Sequence, residues 1–178
     1  MWVQLIFIVA TLAWALEGVL FRSTKKVRDA SFTYVTAAML FTITVIILDG
    51  IFHWSTIENT VLWQSLGVLL YAGGICLRYW GIIQMAGSFS RLVQRPERLI
   101  SSGPFQFLRH PLYFALLLVT TGLSLYVGTT FGLVSSVLLL FPVLAWRAKN
   151  EEKVLHKWFG APYLAYAKNK KRIIPFIY

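Results

Sequence analysis

Two short clusters hold the groups best suited to chemistry in this chain: Arg109-His110-Pro111-Leu112-Tyr113, and Arg147 followed by Glu151 and Glu152. A guanidinium presents a planar fork that can donate two parallel hydrogen bonds to a carboxylate, and charge-assisted bonds are worth roughly 1.5–3 kcal/mol. An imidazole donates and accepts near neutral pH, so His110 can grip a polar ligand or act as a base. Glu151 can accept from an ammonium or a sugar hydroxyl. Each group also has a plainer use. Arg147 and Glu151 stand four apart and can pair as the solvated end of a helix. His110 can bond the start of a helix opened by Pro111, and Tyr113 can anchor that helix at a membrane interface.

The elements that must position these clusters follow from what lies between them. Residues 111–146 are uncharged. As one helix they would run about 54 Å at roughly 1.5 Å per residue, against a hydrocarbon core of about 30 Å, so the stretch must fold back as a hairpin. Both clusters then meet on one side. Charged groups at such a mouth are costly to place and usually serve a site.

With 57% hydrophobic and only 13% charged residues, the chain belongs to the integral membrane class. Apolar blocks at 2–21 (interrupted by Glu17), 32–48 and 61–77, with the long block counted twice, give about five crossings near the lower limit of spanning length. The expected fold is an all-α polytopic membrane helix bundle with a C-terminal cytoplasmic or interfacial helix. It forms a single membrane domain over 1–178, with three spans in 1–88 and the functional part in 89–178. Sixteen of the seventeen Lys and Arg fall on one side of this arrangement. That side is cytoplasmic by the positive-inside rule, with the N-terminus outside and the C-terminus inside. The expected location is a bacterial or archaeal plasma membrane, with the site facing the cytoplasm.

A net charge of +10 would suggest nucleic acid for a soluble protein. Here the basic residues border apolar spans and face anionic membrane lipids, so no nucleic acid partner is expected. The first block lacks a basic leading region and a small-residue cleavage site, so it is expected to stay as a helix. Buried charges at Glu17 and Arg78 are expected to pair. Cys76 is the single cysteine, and three scattered histidines make a metal site unexpected.

Two stretches are not apolar: 91–109, with turns at Arg95-Pro96 and Ser101-Ser102-Gly103-Pro104, and 147 onward. The second has helical spacing, with Val154, Leu155, Trp158 and Phe159 on one face, and should end at Gly160-Ala161-Pro162. A short amphipathic segment over 163–171 then lies in the interface. The terminal Ile173-Ile174-Pro175-Phe176-Ile177-Tyr178 is apolar enough to tuck against the bundle.

Leu99-Ile100-Ser101-Ser102-Gly103-Pro104-Phe105 is followed in order by the His110-Pro111-x-Tyr113 and Arg147-x3-Glu151-Glu152 motifs, by Phe159-Gly160-x2-Tyr163-x2-Tyr166, and by Arg172 with Pro175-Phe176. This series resembles the isoprenylcysteine carboxyl methyltransferase family from about Phe89 to the end. The resemblance implies a membrane methyltransferase that takes S-adenosylmethionine from the cytosol and a lipophilic small-molecule or lipidated acceptor from the bilayer. Matched position by position, cofactor contacts fall on Gln94, Leu99, Ile100, Phe105, His110, Pro111, Leu112, Tyr113 and Glu151. The substrate-contacting arginine falls on Arg147, and the candidate catalytic pair is Arg147 and Glu152. Phe105 stands where the family usually has tyrosine, and Glu97 where it usually has histidine.

Methyl transfer to a carboxylate removes no proton, and the charges partly cancel in the transition state, which a low-dielectric site favours. Arg147 would orient that carboxylate, and Phe105, Phe107 and Tyr113 would wall an adenine pocket. A phospholipid headgroup N-methyltransferase and a non-enzymatic scaffold recruiting anionic lipid are the alternatives.

Overall fold

The computed structural model describes residues 30–58, 60–85 and 99–178. Four long helices run back and forth: α1 (Ala30–Phe52), α2 (Val61–Met85), α3 (Pro111–Val127) and α4 (Thr130–Phe159). A short α5 (Ala161–Lys168) follows, and a 3₁₀ turn, Gly103–Gln106, precedes α3. Apart from two isolated bridges, the described residues are helix and loop. α1, α2 and α4 are long and apolar enough to cross a membrane, and α3 is a shorter apolar helix.

The expected hairpin forms. α3 stops at Gly128, whose φ of +82° suits glycine and whose N–H donates to Ser124 O, and α4 starts two residues later. The helices exceed the apolar blocks that predict them. α1 and α2 are 23 and 25 residues long, because α2 continues through Arg78 and α1 through Asp49. α4 is 30 residues long, about 45 Å by helical rise, so its final turns project beyond an apolar layer of roughly 30 Å. The first predicted span and the Glu17–Arg78 pairing lie outside the described residues.

The packing follows from sequence stripes. Along α1, Ser31, Val35, Ala38, Thr42, Ile46 and Asp49 are all buried, spaced by three or four residues as one helical face requires. On α4 the buried series is Gly132, Ser136, Leu140, Leu144 and Ala148. Val35 and Ala38 join Leu140, Leu144 and Ala148 in one apolar cluster, together with Leu116 of α3 and Ile173 of the tail. Phe41, Ile47, Leu69, Ile83 and Leu138 stay exposed, as lipid-facing residues do.

α2 and α3 approach more closely than ordinary side chains allow. A Cβ on Gly67 would lie 2.6 Å from Tyr126 N and 2.7 Å from Gly122 O, and one on Gly74 would lie 2.8 Å from Ala115 O. Gly81, seven residues further on, meets the tip of the Leu112 side chain instead of backbone. Small residues at this spacing let two backbones touch where lipid supplies no hydrophobic drive for helix association.

Within α4 the turn Ser136–Leu140 is a π-helix, with Phe141 N–H donating to Ser136 O. Pro142 follows directly and has no N–H for Leu138 O, so the wider turn absorbs a missing bond. At the end away from the site, buried Asp49 accepts from Ser55 N–H (2.8 Å), Ser55 Oγ (2.6 Å) and Phe131 N–H (3.3 Å). This ties the α1–α2 loop to the start of α4.

At the opposite end α4 stops at Gly160 (φ +57°), and Pro162 lies in the first turn of α5. Tyr166 Oη donates to Phe105 O (2.9 Å), fixing the 3₁₀ turn. The tail then runs back beside the start of α3, where Arg109 N–H donates to Lys171 O (2.9 Å) and His110 N–H to Arg172 O (2.8 Å). Ile173 is fully buried, as the apolar tail predicts, but Phe176 and Ile177 are 92% and 76% exposed. The reason is local. Ile173 and Ile174 N–H both donate to Tyr178 O, closing a turn whose tip must point outward.

Candidate active site

Helical phase delivers Arg147, Glu151 and Glu152 to one place, since 147 and 151 stack along α4 and 152 sits beside them. The opposing side comes from the first turn of α3, where Pro111 lacks only an N–H that the helix would leave unpaired. The hairpin turn thus brings together two clusters separated by the long uncharged segment.

Glu152 is held by two arginines and a histidine. Arg172 grips it with two bonds, Nε to Oε1 at 2.9 Å and Nη2 to Oε2 at 2.7 Å. Arg109 Nη1 donates to Oε1 at 2.8 Å, and His110 Nε2 lies 3.3 Å from the same oxygen. The other ring nitrogen of His110 faces Glu151 Oε2 at 3.4 Å. An imidazole with a carboxylate at each nitrogen is best satisfied as the cation, which donates to both. Burial of His110 works against that charge, but Glu151 and Glu152 outweigh it and raise its pKa above the ordinary histidine value.

Glu151 links this group to the second arginine. Tyr113 Oη donates to Glu151 Oε1 at 2.5 Å, and Arg147 Nε reaches both Tyr113 Oη (2.7 Å) and Glu151 Oε1 (3.1 Å). The Tyr113 ring stacks on His110, with centroids 5.3 Å apart and planes within 10°. Arg147 is only 4% exposed. Its Nη1 donates to Ser31 Oγ of α1 at 3.0 Å, and its guanidinium carbon lies 5.8 Å from the centre of the Phe32 ring. One hydrogen-bonded string therefore runs Arg172, Glu152, His110, Glu151, Tyr113, Arg147, Ser31. Beside it Tyr163 is buried, and burial with Glu152 nearby pushes its hydroxyl up to about 12 against the pull of Arg109 and Arg172.

The residues predicted from sequence fall as follows. His110, Tyr113, Arg147, Glu151 and Glu152 come together in the string. Pro111 is fully buried beneath them, and Leu112 is half-buried against Gly81 of α2. Phe105 is buried in the 3₁₀ turn. Leu99 and Ile100 are half-buried in the segment leading to it. Gln94 and Glu97 lie outside the described residues. Phe107 is 69% exposed and does not join Phe105 in a buried wall, because its place at the end of the 3₁₀ turn directs it away from the bundle. Arg147 and Glu151 do pair along the helix, but not as a solvated helix end, because Arg147 is buried among three helices. Ser31 and the backbone of the tail were not singled out from sequence, whereas Arg109 was named in the first cluster without a role of its own. Only Arg109, next to His110, carried a local signal.

The fold and the family comparisons together define a multi-pass membrane methyltransferase. The solved structure of a eukaryotic intramembrane Ras methyltransferase, an isoprenylcysteine carboxyl methyltransferase, aligns with 98% of this chain and 64% of its own, with a TM-score of 0.67 and 23% identity. Residues 62–162 match the family model described as phospholipid methyltransferase, and the chain belongs to that family. Its curated relatives include protein-S-isoprenylcysteine O-methyltransferase B of Arabidopsis thaliana, 26% identical over 79% of this chain and 73% of the relative. The Homo sapiens protein-S-isoprenylcysteine O-methyltransferase is 29% identical over 73% of this chain, which spans 47% of that protein's length. The family model and the curated relatives thus agree on an integral membrane methyltransferase.

Proposed function

We propose that this chain uses S-adenosylmethionine to methylate the carboxylate of a lipophilic or lipidated acceptor, from a site on the cytoplasmic side. The observation that carries this reading is the buried guanidinium of Arg147, held from two sides at the membrane end of α4, one helical turn from a carboxylate–imidazole group. The donor set suits the cofactor: Glu151 offers a carboxylate for an ammonium, His110 and Tyr113 offer polar edges, and Phe105 offers an apolar face. The cofactor supplies an electrophilic methyl group on a sulfonium, and a carboxylate oxygen needs no base to receive it. The work left to the protein is positioning and exclusion of water. Arg147 orients the acceptor carboxylate through its fork. Glu151 holds the cofactor end, with His110 and Tyr113 fixing its rotamer. Glu152, taken up by Arg172, Arg109 and His110, serves the reaction by holding His110 in place. The chain's curated relatives, named as isoprenylcysteine O-methyltransferases, support a carboxylate acceptor on a thioether-linked lipid. The basic residues gathered at the site end support its cytoplasmic orientation.

The family model's own description favours a second reading, methylation of a phospholipid amine. Incubating membranes with methyl-labelled cofactor separates the two. A carboxyl ester releases the label as volatile methanol in mild base, whereas a methylated amine retains it. Calorimetry on detergent-purified protein with S-adenosylhomocysteine should show saturable binding. Heat-silent titration to millimolar ligand, with no ligand retained on equilibrium dialysis, would end both enzymatic readings.

A further inference from the structure

We infer that Ser31 is a positioning residue that fixes the guanidinium of Arg147 for an acceptor carboxylate, so that α1 helps set acceptor recognition. The inference rests on the proposed role of Arg147. Ser31 is the first member of the buried stripe of α1, and Arg147 lies beside Leu144 and Ala148 on the matching face of α4. Helix packing through Val35, Ala38, Leu140 and Leu144 therefore sets the distance between them. At 3.0 Å, Ser31 Oγ accepts from Arg147 Nη1, and the bond is buried. Tyr113 takes Nε from the other side at 2.7 Å, and the Phe32 ring lies along the guanidinium.

An arginine side chain has about 2 kcal/mol of rotamer entropy to lose, and a fork fixed in advance loses less when it meets its ligand. An apolar residue at 31 would fill the stripe equally well by the packing argument, but it would leave a buried guanidinium N–H without this acceptor. The hydroxyl is therefore the hydrogen-bond acceptor that α1 turns to the fork, beside the Phe32 ring. Because α1 carries none of the motifs that place the other site residues, the contact arises from tertiary packing alone.

The test compares two probes on the purified protein: an S-prenylated cysteine with a free carboxylate, and its carboxamide. The parent protein should prefer the acid. Ser31→Ala should reduce the acid-to-amide affinity ratio about tenfold, the scale of one charge-assisted hydrogen bond. It should leave S-adenosylhomocysteine affinity within about twofold, and Ser31→Thr, which keeps the hydroxyl, should restore the ratio. A merely structural role for Ser31 would weaken both probes alike. Should Ser31→Ala fail to purify folded, Ser31→Cys keeps the volume with a poor acceptor and is measured in its place. An unchanged ratio in the alanine or cysteine variant would overturn the inference while leaving the proposed function intact. A parent protein that binds cofactor but does not distinguish acid from amide would remove the role of Arg147 first.

Discussion

Arg147 and Glu151 share one hydrogen-bonded string, and because the proposed function gives them different ligands, their substitutions should separate in kinetics. Arg147→Ala should lower kcat/KM for the acceptor about a hundredfold while changing cofactor affinity much less, whereas Glu151→Gln should weaken S-adenosylhomocysteine about tenfold or more. Steady-state kinetics with calorimetry checks both, and the reverse pattern would exchange the roles. His110 contributes a pH dependence. Its folded pKa is raised, so the stability from its imidazolium is fully present below about pH 6.5, the unperturbed value, and is lost as pH rises through the folded value. Thermal unfolding in detergent should therefore show the parent losing its advantage over His110→Gln as pH rises, and a constant difference would mean that the ring stays neutral. The Arg147–Glu151 relation was legible in sequence because four-residue spacing on a helix fixes it. The bond to Ser31 was not, since it joins residues 116 positions apart that no shared motif connects.

Glycine separates close contact from lipid exposure on a single helix, α2. Gly67 faces the backbone of α3, but a Cβ on Gly73 would meet nothing within 4 Å. Gly67→Ala should cost about 1–3 kcal/mol, the usual scale of overpacking, because the obstructing atoms belong to backbone. Gly73→Ala should be neutral or stabilise by up to about 1 kcal/mol through helix propensity. Melting temperatures in one detergent decide it, and equal effects would show that α2 and α3 are not in the described contact. The loss at Gly67 should also reach activity, since the same pair of helices seats Leu112 and Pro104 beside Gly81. Hydropathy located these helices but not their faces. A helix apolar on every side has little moment to read, and glycines spaced by seven are informative only once their partner is known. The extension of α4 to Gly160 was legible because its final turns become amphipathic, while the π turn before Pro142 was not.

At the scale of the molecule, the Lys and Arg of the described residues from Arg109 onward lie toward the site end, while Asp49 and Glu58 lie toward the other. In a Cys76→Ser background, a cysteine placed at Lys168 should react with a membrane-impermeant thiol reagent only when the cytoplasmic face is open, and one at Glu58 only from the other face. Labelling of both from one side would discard this topology. The hairpin was legible from length alone, since one crossing cannot hold 36 uncharged residues. The strap formed by Lys171 and Arg172 was not, because it is built from backbone bonds that side-chain hydropathy does not encode. The Asp49 knot and the polar string sit at opposite ends of one long rod, α4, fastened at both. A bilayer that thickens or thins cannot be met by shortening that rod, only by tilting it or by drawing its ends through the headgroups. Acyl-chain length therefore sets the depth at which Arg147 sits beneath the headgroups, which makes the surrounding lipid part of the geometry of this end of the molecule.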